Sequence, residues 1–276
     1  MEVILAGYLG FCYGVKRAVT IARKNASADG AACTLGPIIH NPQMVERLRA
    51  EGVGSVSRLD EMEKGTVIIR SHGVGPQVYA EAEKRGLTVV DATCPHVKKA
   101  QLSAKLLADG GYDVVIIGEK KHPEVRSIFE WSNAKARIIE TVEEADALLP
   151  CTRLGIVCQT TFSGEKFREI VSHLLEKSCE IKILRTICTA TDQRQAAAMD
   201  LAAKVDMMLV IGGKNSANTS RLAQLCADKC RTYHIETADE LQDGWFDKNF
   251  EKIGITAGAS TPDWIIKEVY KKCQNR

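Results

Sequence analysis

The stretch Val67–Val90, VIIRSHGVGPQVYAEAEKRGLTVV, decides the fold. A short β-branched run gives way to a polar turn carrying a histidine, then to a helix-period pattern, then to a second β-branched run. Strand, turn, helix and parallel strand make the β-α-β unit of a sheet covered on both faces. The pattern returns in Val114–Ile139, VVIIGEKKHPEVRSIFEWSNAKARII, and in Met208–Ile235, MLVIGGKNSANTSRLAQLCADKCRTYHI. Self-similarity of this kind marks repeated structural units. Working outward, strands are expected at Val3–Ala6, Thr66–Arg70, Thr88–Asp91, Asp113–Gly118, Ala136–Glu140, Gly155–Cys158, Ile181–Leu184, Met207–Gly212 and Gly254–Ala257. Helical patterns lie over Gly14–Lys24, Pro76–Lys84, Val97–Ala108, Gly164–Lys177, Thr191–Lys204 and Asn218–Asp228. The expected fold class is α/β: three pseudo-equivalent small α/β domains with parallel sheets, facing a shared centre. One continuous doubly wound sheet is the alternative. The domains are expected at 14–94, 95–187 and 188–276, with 1–13 contributing the N-terminal strand and the Cys12 loop.

Composition narrows the function. The 276 residues are 45% hydrophobic and carry 37 basic against 35 acidic side chains, a net of +2. No basic block or aromatic-interleaved stripe suggests a nucleic-acid partner. No apolar run approaches the ~20 residues of a membrane helix. The start, MEVILAGYLGFCYG, lacks a preceding positive region and a small-residue cleavage site, so it reads as a first strand and the protein as cytoplasmic. Ten cysteines are many for such a chain, and no two form a C-x-x-C pair. That pattern disfavours structural disulfides, zinc ribbons and thioredoxin-type sites. Cysteines sharing one metal centre have to come from distant points of the chain.

Three of the ten stand out by context. Cys12 lies in GFCYGVKRAV, Cys94 in DATCP and Cys188 in TICTATDQRQ, each between a strand and a helix. The positive end of a helix favours a thiolate there. They are 82 and 94 residues apart, roughly one per repeated unit. Three thiolates from three units can bind three irons of a cubane and leave the fourth open, as a catalytic centre needs. Cys33, Cys151, Cys158, Cys179, Cys226, Cys230 and Cys273 lack this context and are expected in core or surface positions.

His40, His72 and His122 each stand just before a helix start, where free N–H groups and the dipole favour an anion. Asn215-Ser216-Ala217-Asn218 and Ala259-Ser260-Thr261-Pro262 supply donors at two more starts. The set suits a diphosphate, and no Walker loop or GxGxxG points to a nucleotide. Glu124, two residues after His122, is the proton-transfer candidate, and Thr160 in Gln159-Thr160-Thr161 can relay a proton between it and a substrate oxygen. His96, His173 and His234 have no matching context.

With these residues assembled, the chain resembles the 4-hydroxy-3-methylbut-2-enyl diphosphate reductase (LytB) family over nearly its full length. The resemblance rests on Gly10–Val15, His40-Asn41-Pro42, Ser71–Val74, Asp91–Pro95, His122–Val125, Gln159–Thr161, Thr186–Thr191 with Arg194-Gln195, Asn215-Ser216 with Asn218, and Thr256–Ser260. It implies a trefoil-like arrangement around one 4Fe–4S cluster with Cys12, Cys94 and Cys188 as ligands and an open fourth iron. It implies His40, His72, His122, Ser216, Asn218 and Ser260 as diphosphate ligands, Glu124 as proton donor and Thr160 as its support. Ala217 stands where some members carry a second serine, a loss worth ~1 kcal/mol of hydrogen bonding. The implied reaction is reductive removal of the allylic hydroxyl, with a ferredoxin or flavodoxin as electron donor. A redox-neutral iron–sulfur dehydratase, a zinc hydrolase built on His122 and Glu124, and a non-enzymatic sensor of phosphorylated ligands are the competing classes.

Overall fold

The computed structural model describes residues 1–27, 31–247 and 249–275. In chain order the strands are β1 (Glu2–Leu5), β2 (Ala32–Leu35), β3 (Gly54–Val56), β4 (Thr66–Ile69), β5 (Thr88–Asp91), β6 (Asp113–Ile117), β7 (Arg137–Ile139), β8 (Cys151–Cys158), β9 (Ser178–Ile183), β10 (Met207–Ile211), β11 (Arg231–Ile235) and β12 (Lys252–Ala257). The helices are α1 (Tyr13–Lys24), α2 (Pro42–Ala50), α3 (Pro76–Lys84), α4 (Pro95–Asp109), α5 (Pro123–Trp131), α6 (Val142–Asp146), α7 (Gly164–Leu174), α8 (Thr189–Ala202), α9 (Ala217–Ala227) and α10 (Asp263–Gln274).

Among the described residues the strands form three separate four-stranded sheets, ordered β1-β12-β10-β11, β5-β4-β2-β3 and β9-β8-β6-β7. All their pairings are parallel. Three sheets replace the single doubly wound sheet held as the alternative. The chain divides into two compact units, one of Met1–Lys16, His40–Val45 and Thr189–Arg276, the other of Arg17–Ile39 and Glu46–Cys188. The first holds the sheet of β1, β12, β10 and β11, and the second holds the other two.

Burial explains the continuous apolar strands. In β6, Val115 and Ile117 pack into one core cluster and Val114 and Ile116 into another on the opposite face. In β10, Met207, Leu209 and Ile211 face one cluster while Met208 and Val210 face the other. Side chains alternate across a strand, so both faces must be apolar when helices cover both.

Two strands escape the sequence pattern, and β8, β9 and β12 begin four, three and two residues earlier than expected. β2 (ACTL) and β3 (GSV) each carry a single β-branched residue, too few to read as strands. β8 begins at Cys151, and Gly155 interrupts its apolar run; a Cβ there would lie 3.0 Å from both Leu107 methyl carbons, so the glycine lets α4 pack closely. At the start of β4, Gly65 adopts φ +110°, and a Cβ would meet the Ala31 carbonyl oxygen at 2.2 Å. That oxygen accepts the Thr66 N–H at 2.8 Å. Gly65→Ala is expected to destabilise the protein by about 2 kcal/mol or more, read as a lower urea midpoint at unchanged slope.

Candidate active site

Parallel strands all end on one edge, and the reactive turns gather there. Each sheet repeats one local plan. The outer strands β1, β5 and β9 lead to Cys12, Cys94 and Cys188, and a helix follows each cysteine. Each cysteine N–H donates to a carbonyl in the turn after the neighbouring strand: Cys12 to Ala259 at 3.1 Å, Cys94 to Ser71 at 3.0 Å and Cys188 to Thr160 at 2.9 Å. Those turns carry Ser260, His72 and Thr160.

In the first unit, the Val15 N–H approaches Cys12 Sγ at 3.5 Å, which places the sulfur at the start of α1. Ser260 Oγ donates to the His40 carbonyl at 3.1 Å, so these two candidates meet through main chain. The next residue, Asn41, accepts the Met44 N–H at 2.8 Å and caps α2. Ser216 caps α9; its oxygen accepts from the Thr219 N–H at 3.4 Å and the Thr219 hydroxyl at 3.0 Å. With both acceptor positions used, its own proton remains for a ligand. Asn218 is 5% exposed, and neither its amide nitrogen nor its amide oxygen has a hydrogen-bond partner. A buried, unsatisfied amide costs about 1–3 kcal/mol, and a bound oxyanion would satisfy its donor. Ala217 opens α9 and offers only its main chain.

In the second unit, the rings of His72 and His122 lie 5.6 Å apart, edge to face. His122 caps α5, its Nδ1 accepting the Glu124 N–H at 3.2 Å, which assigns the ring proton to Nε2. Glu124 is 2% exposed, not the solvated first-turn glutamate its position allows. Thr160 grips it twice: the Thr160 N–H donates to Oε1 at 2.6 Å and the hydroxyl to Oε2 at 2.9 Å. Burial pushes the Glu124 carboxyl up to about 7; the Thr160 bonds work against that rise and the Glu119 carboxylate adds to it. Thr186 bonds both the N–H and the carbonyl of Cys158 and so ties the Cys188 turn to the end of β8.

Several positioning residues had no role in the sequence. The Ser127 hydroxyl bridges the His72 carbonyl (3.0 Å) and the Glu124 carbonyl (2.7 Å), and accepts from Gln101 Nε2 at 3.1 Å. Gln101 also reaches the Val74 carbonyl at 3.5 Å. A polar residue on the apolar face of α4 was the available signal. Arg17 donates to the Thr93 and Asp91 carbonyls at 3.1 and 3.5 Å, steadying the turn that leads to Cys94. Arg194, 6% exposed, donates to the Gly10 carbonyl at 2.8 Å, two residues before Cys12. The excluded histidines have ordinary surroundings: His96 is exposed, His173 meets Asp146 at 2.9 Å and His234 meets the Gly212 carbonyl at 2.8 Å.

Among the described residues no group of three or more His, Cys, Asp or Glu is arranged to hold a metal ion. The three helix-start cysteines are half-buried, whereas Cys158, Cys226 and Cys273 are buried in cores, where burial pushes the Cys226 thiol up to about 12. Thiols at helix starts suit metal ligation better than thiols desolvated in apolar cores.

The fold and site define an α/β protein of three parallel sheets, with thiols, histidines and hydroxyl side chains in the turns at the sheets' carboxyl ends. The family model described as LytB protein matches residues 3–274, and the chain belongs to that family. A protein of Geobacter sulfurreducens named 4-hydroxy-3-methylbut-2-enyl diphosphate reductase is 50% identical over 275 residues, covering 99% of this chain and 97% of its own length. The protein of that name from Pelobacter propionicus is 50% identical over 270 residues, covering 98% and 96%. A solved structure of (E)-4-hydroxy-3-methyl-but-2-enyl diphosphate reductase, described as the terminal enzyme of the non-mevalonate pathway, matches all of both chains at 46% identity with a TM-score of 0.74. The E-1-hydroxy-2-methyl-but-2-enyl-4-diphosphate reductase of Plasmodium falciparum matches 99% of this chain and 87% of its own at 29% identity, with a TM-score of 0.91.

The Glu124 carboxyl sets a pH dependence. Folding raises its pKa from 4.5 to about 7, so the folded state holds a proton that the unfolded chain releases. Stability from that proton is full below 4.5 and is lost as pH rises to about 7, by about 3 kcal/mol. Urea unfolding at a series of pH values is expected to show this loss in the unmodified chain and a flatter limb in Glu124→Gln.

Proposed function

We propose that this chain reduces 4-hydroxy-3-methylbut-2-enyl diphosphate to isopentenyl and dimethylallyl diphosphate, consuming two electrons and two protons and releasing water. The buried, near-neutral Glu124 carboxyl held by Thr160 beside the Cys188 turn carries this reading; family membership and the named relatives support it. An acid with a pKa near the working pH is suited to give up a proton as a hydroxyl leaves.

The cofactor would be one 4Fe–4S cluster held by Cys12, Cys94 and Cys188, supplying a Lewis-acidic open iron for the hydroxyl and a store for electrons that arrive singly. Each cysteine sits at a helix start on a main-chain hydrogen bond, so its loop is preformed for ligation. His40, His72 and His122 with Ser216, Asn218 and Ser260 would bind the diphosphate, and the main chain at Ala217 would take the place of a side-chain donor. Ser260 would accept that role only by turning its proton away from the His40 carbonyl. Thr160 would pass a proton from Glu124 toward the leaving oxygen, because its hydroxyl already contacts Oε2. A ferredoxin or flavodoxin would deliver the electrons in the cytoplasm. The domains would be 14–94, 95–187 and 188–276 with the 1–13 segment, one sheet to each.

The test is anaerobic purification, iron and sulfide analysis, and turnover of the allylic diphosphate with reduced methyl viologen. Equal iron and sulfide with release of both products is expected. Glu124→Gln should lower kcat by about 10²-fold or more at unchanged iron and sulfide content. Cys188→Ser should lose iron itself. A fully loaded protein that leaves the substrate unconsumed would overturn the proposal.

A further inference from the structure

The reduction needs two electrons from outside, since the sequence has no GxGxxG for a dinucleotide. A carrier must therefore dock close to a cluster-holding loop. We infer that the face of α4 next to Cys94 is the docking surface for a small acidic one-electron carrier protein; the inference rests on the function proposed above.

Cys94 caps α4, and Pro95, the next residue, lines a cavity of about 570 Å³ that runs along the helix. Arg17, Lys98 and Lys99 line it with one carboxylate, Asp91, leaving the rim net positive. Asp91 is held by Lys98 at 3.4 Å and by the Tyr79 hydroxyl at 3.0 Å. Leu102 and Leu106, one helical turn apart, also line the cavity and are 50% and 59% exposed. Large side chains so exposed on one helix face suit a contact surface better than a solvated one. An apolar centre within a charged rim is the anatomy of a protein interface. Redox encounters use small patches of this kind, and charge speeds their formation. The positive rim selects an acidic carrier. Two dockings serve each turnover: each carrier gives up one electron and is itself oxidised, and the two electrons together match the two protons consumed.

The test uses the holoenzyme and an acidic bacterial ferredoxin. Lys99→Glu and Leu106→Ser alter exposed positions outside the proposed catalytic and binding groups. Each is expected to raise the KM for reduced ferredoxin at least tenfold. Each should also weaken binding of oxidised ferredoxin by calorimetry to the same degree, and Lys99→Glu should flatten its salt dependence. Turnover with reduced methyl viologen should stay at the unmodified level. Unchanged ferredoxin KM and binding in both variants would overturn the docking surface alone. Self-association of the unmodified protein that Leu106→Ser abolishes, with ferredoxin binding intact, would give the face to a second copy of the chain and also overturn it. No viologen-driven turnover in the unmodified, loaded protein would overturn the function itself.

Discussion

One main-chain hydrogen bond, made three times, supports the rest of the site. At the carboxyl end of a parallel sheet the ladder stops and leaves N–H and carbonyl groups that need partners. Here the amides of Cys12, Cys94 and Cys188 take the carbonyls of Ala259, Ser71 and Thr160, the turns after the adjacent strands. Each accepting carbonyl lies two residues past the end of its strand, β12, β4 or β8. The bond fixes each cysteine loop against a turn that carries Ser260, His72 or Thr160. Each thiol and the polar side chain of the adjacent turn are thereby set in register by the backbone.

The second unit then builds outward from these bonds with uncharged groups. Ser127 ties the His72 turn to α5, and Gln101 ties both to α4, the helix that Cys94 caps. Hydroxyls and amides hold position without the desolvation cost of buried charge. Glu124 stands apart because burial leaves its carboxyl protonated near neutrality. A single proton kept in a dry site, with a threonine hydroxyl against it, is a chemical resource that an exposed glutamate does not offer.

Arginines serve where loops rather than side chains need holding. Arg17 spans the carbonyls before Cys94, and Arg194 those of Gly10 and Ala190 on either side of the Cys12 and Cys188 turns. The planar guanidinium has donors in a fixed fork, so one side chain can satisfy two main-chain carbonyls at once. Each arginine lies one to two turns into the helix that follows a cysteine, which links the stability of that helix to the shape of a cysteine loop.

Local sequence determined what depends on neighbours along the chain. The repeated strand-turn-helix units, the apolar strands of covered sheets and the placing of Cys12, Cys94, Cys188, His40, His72, His122 and Glu124 beside helix starts all follow from short-range pattern. Tertiary structure alone decided what depends on distant partners. β2 forms because β4 offers a pairing edge and β3 because β2 does in turn, not because their few residues prefer extension. Three sheets rather than one, the Cys188–Thr160 and Cys94–Ser71 bonds, and the Gln101–Ser127 link join residues more than twenty apart, which no local period encodes. The burial of Glu124 belongs with these. Its place in the first turn of α5 would suit a solvated acid, and only packing against β8 and the Thr160 turn removes the water and lets the carboxyl keep its proton.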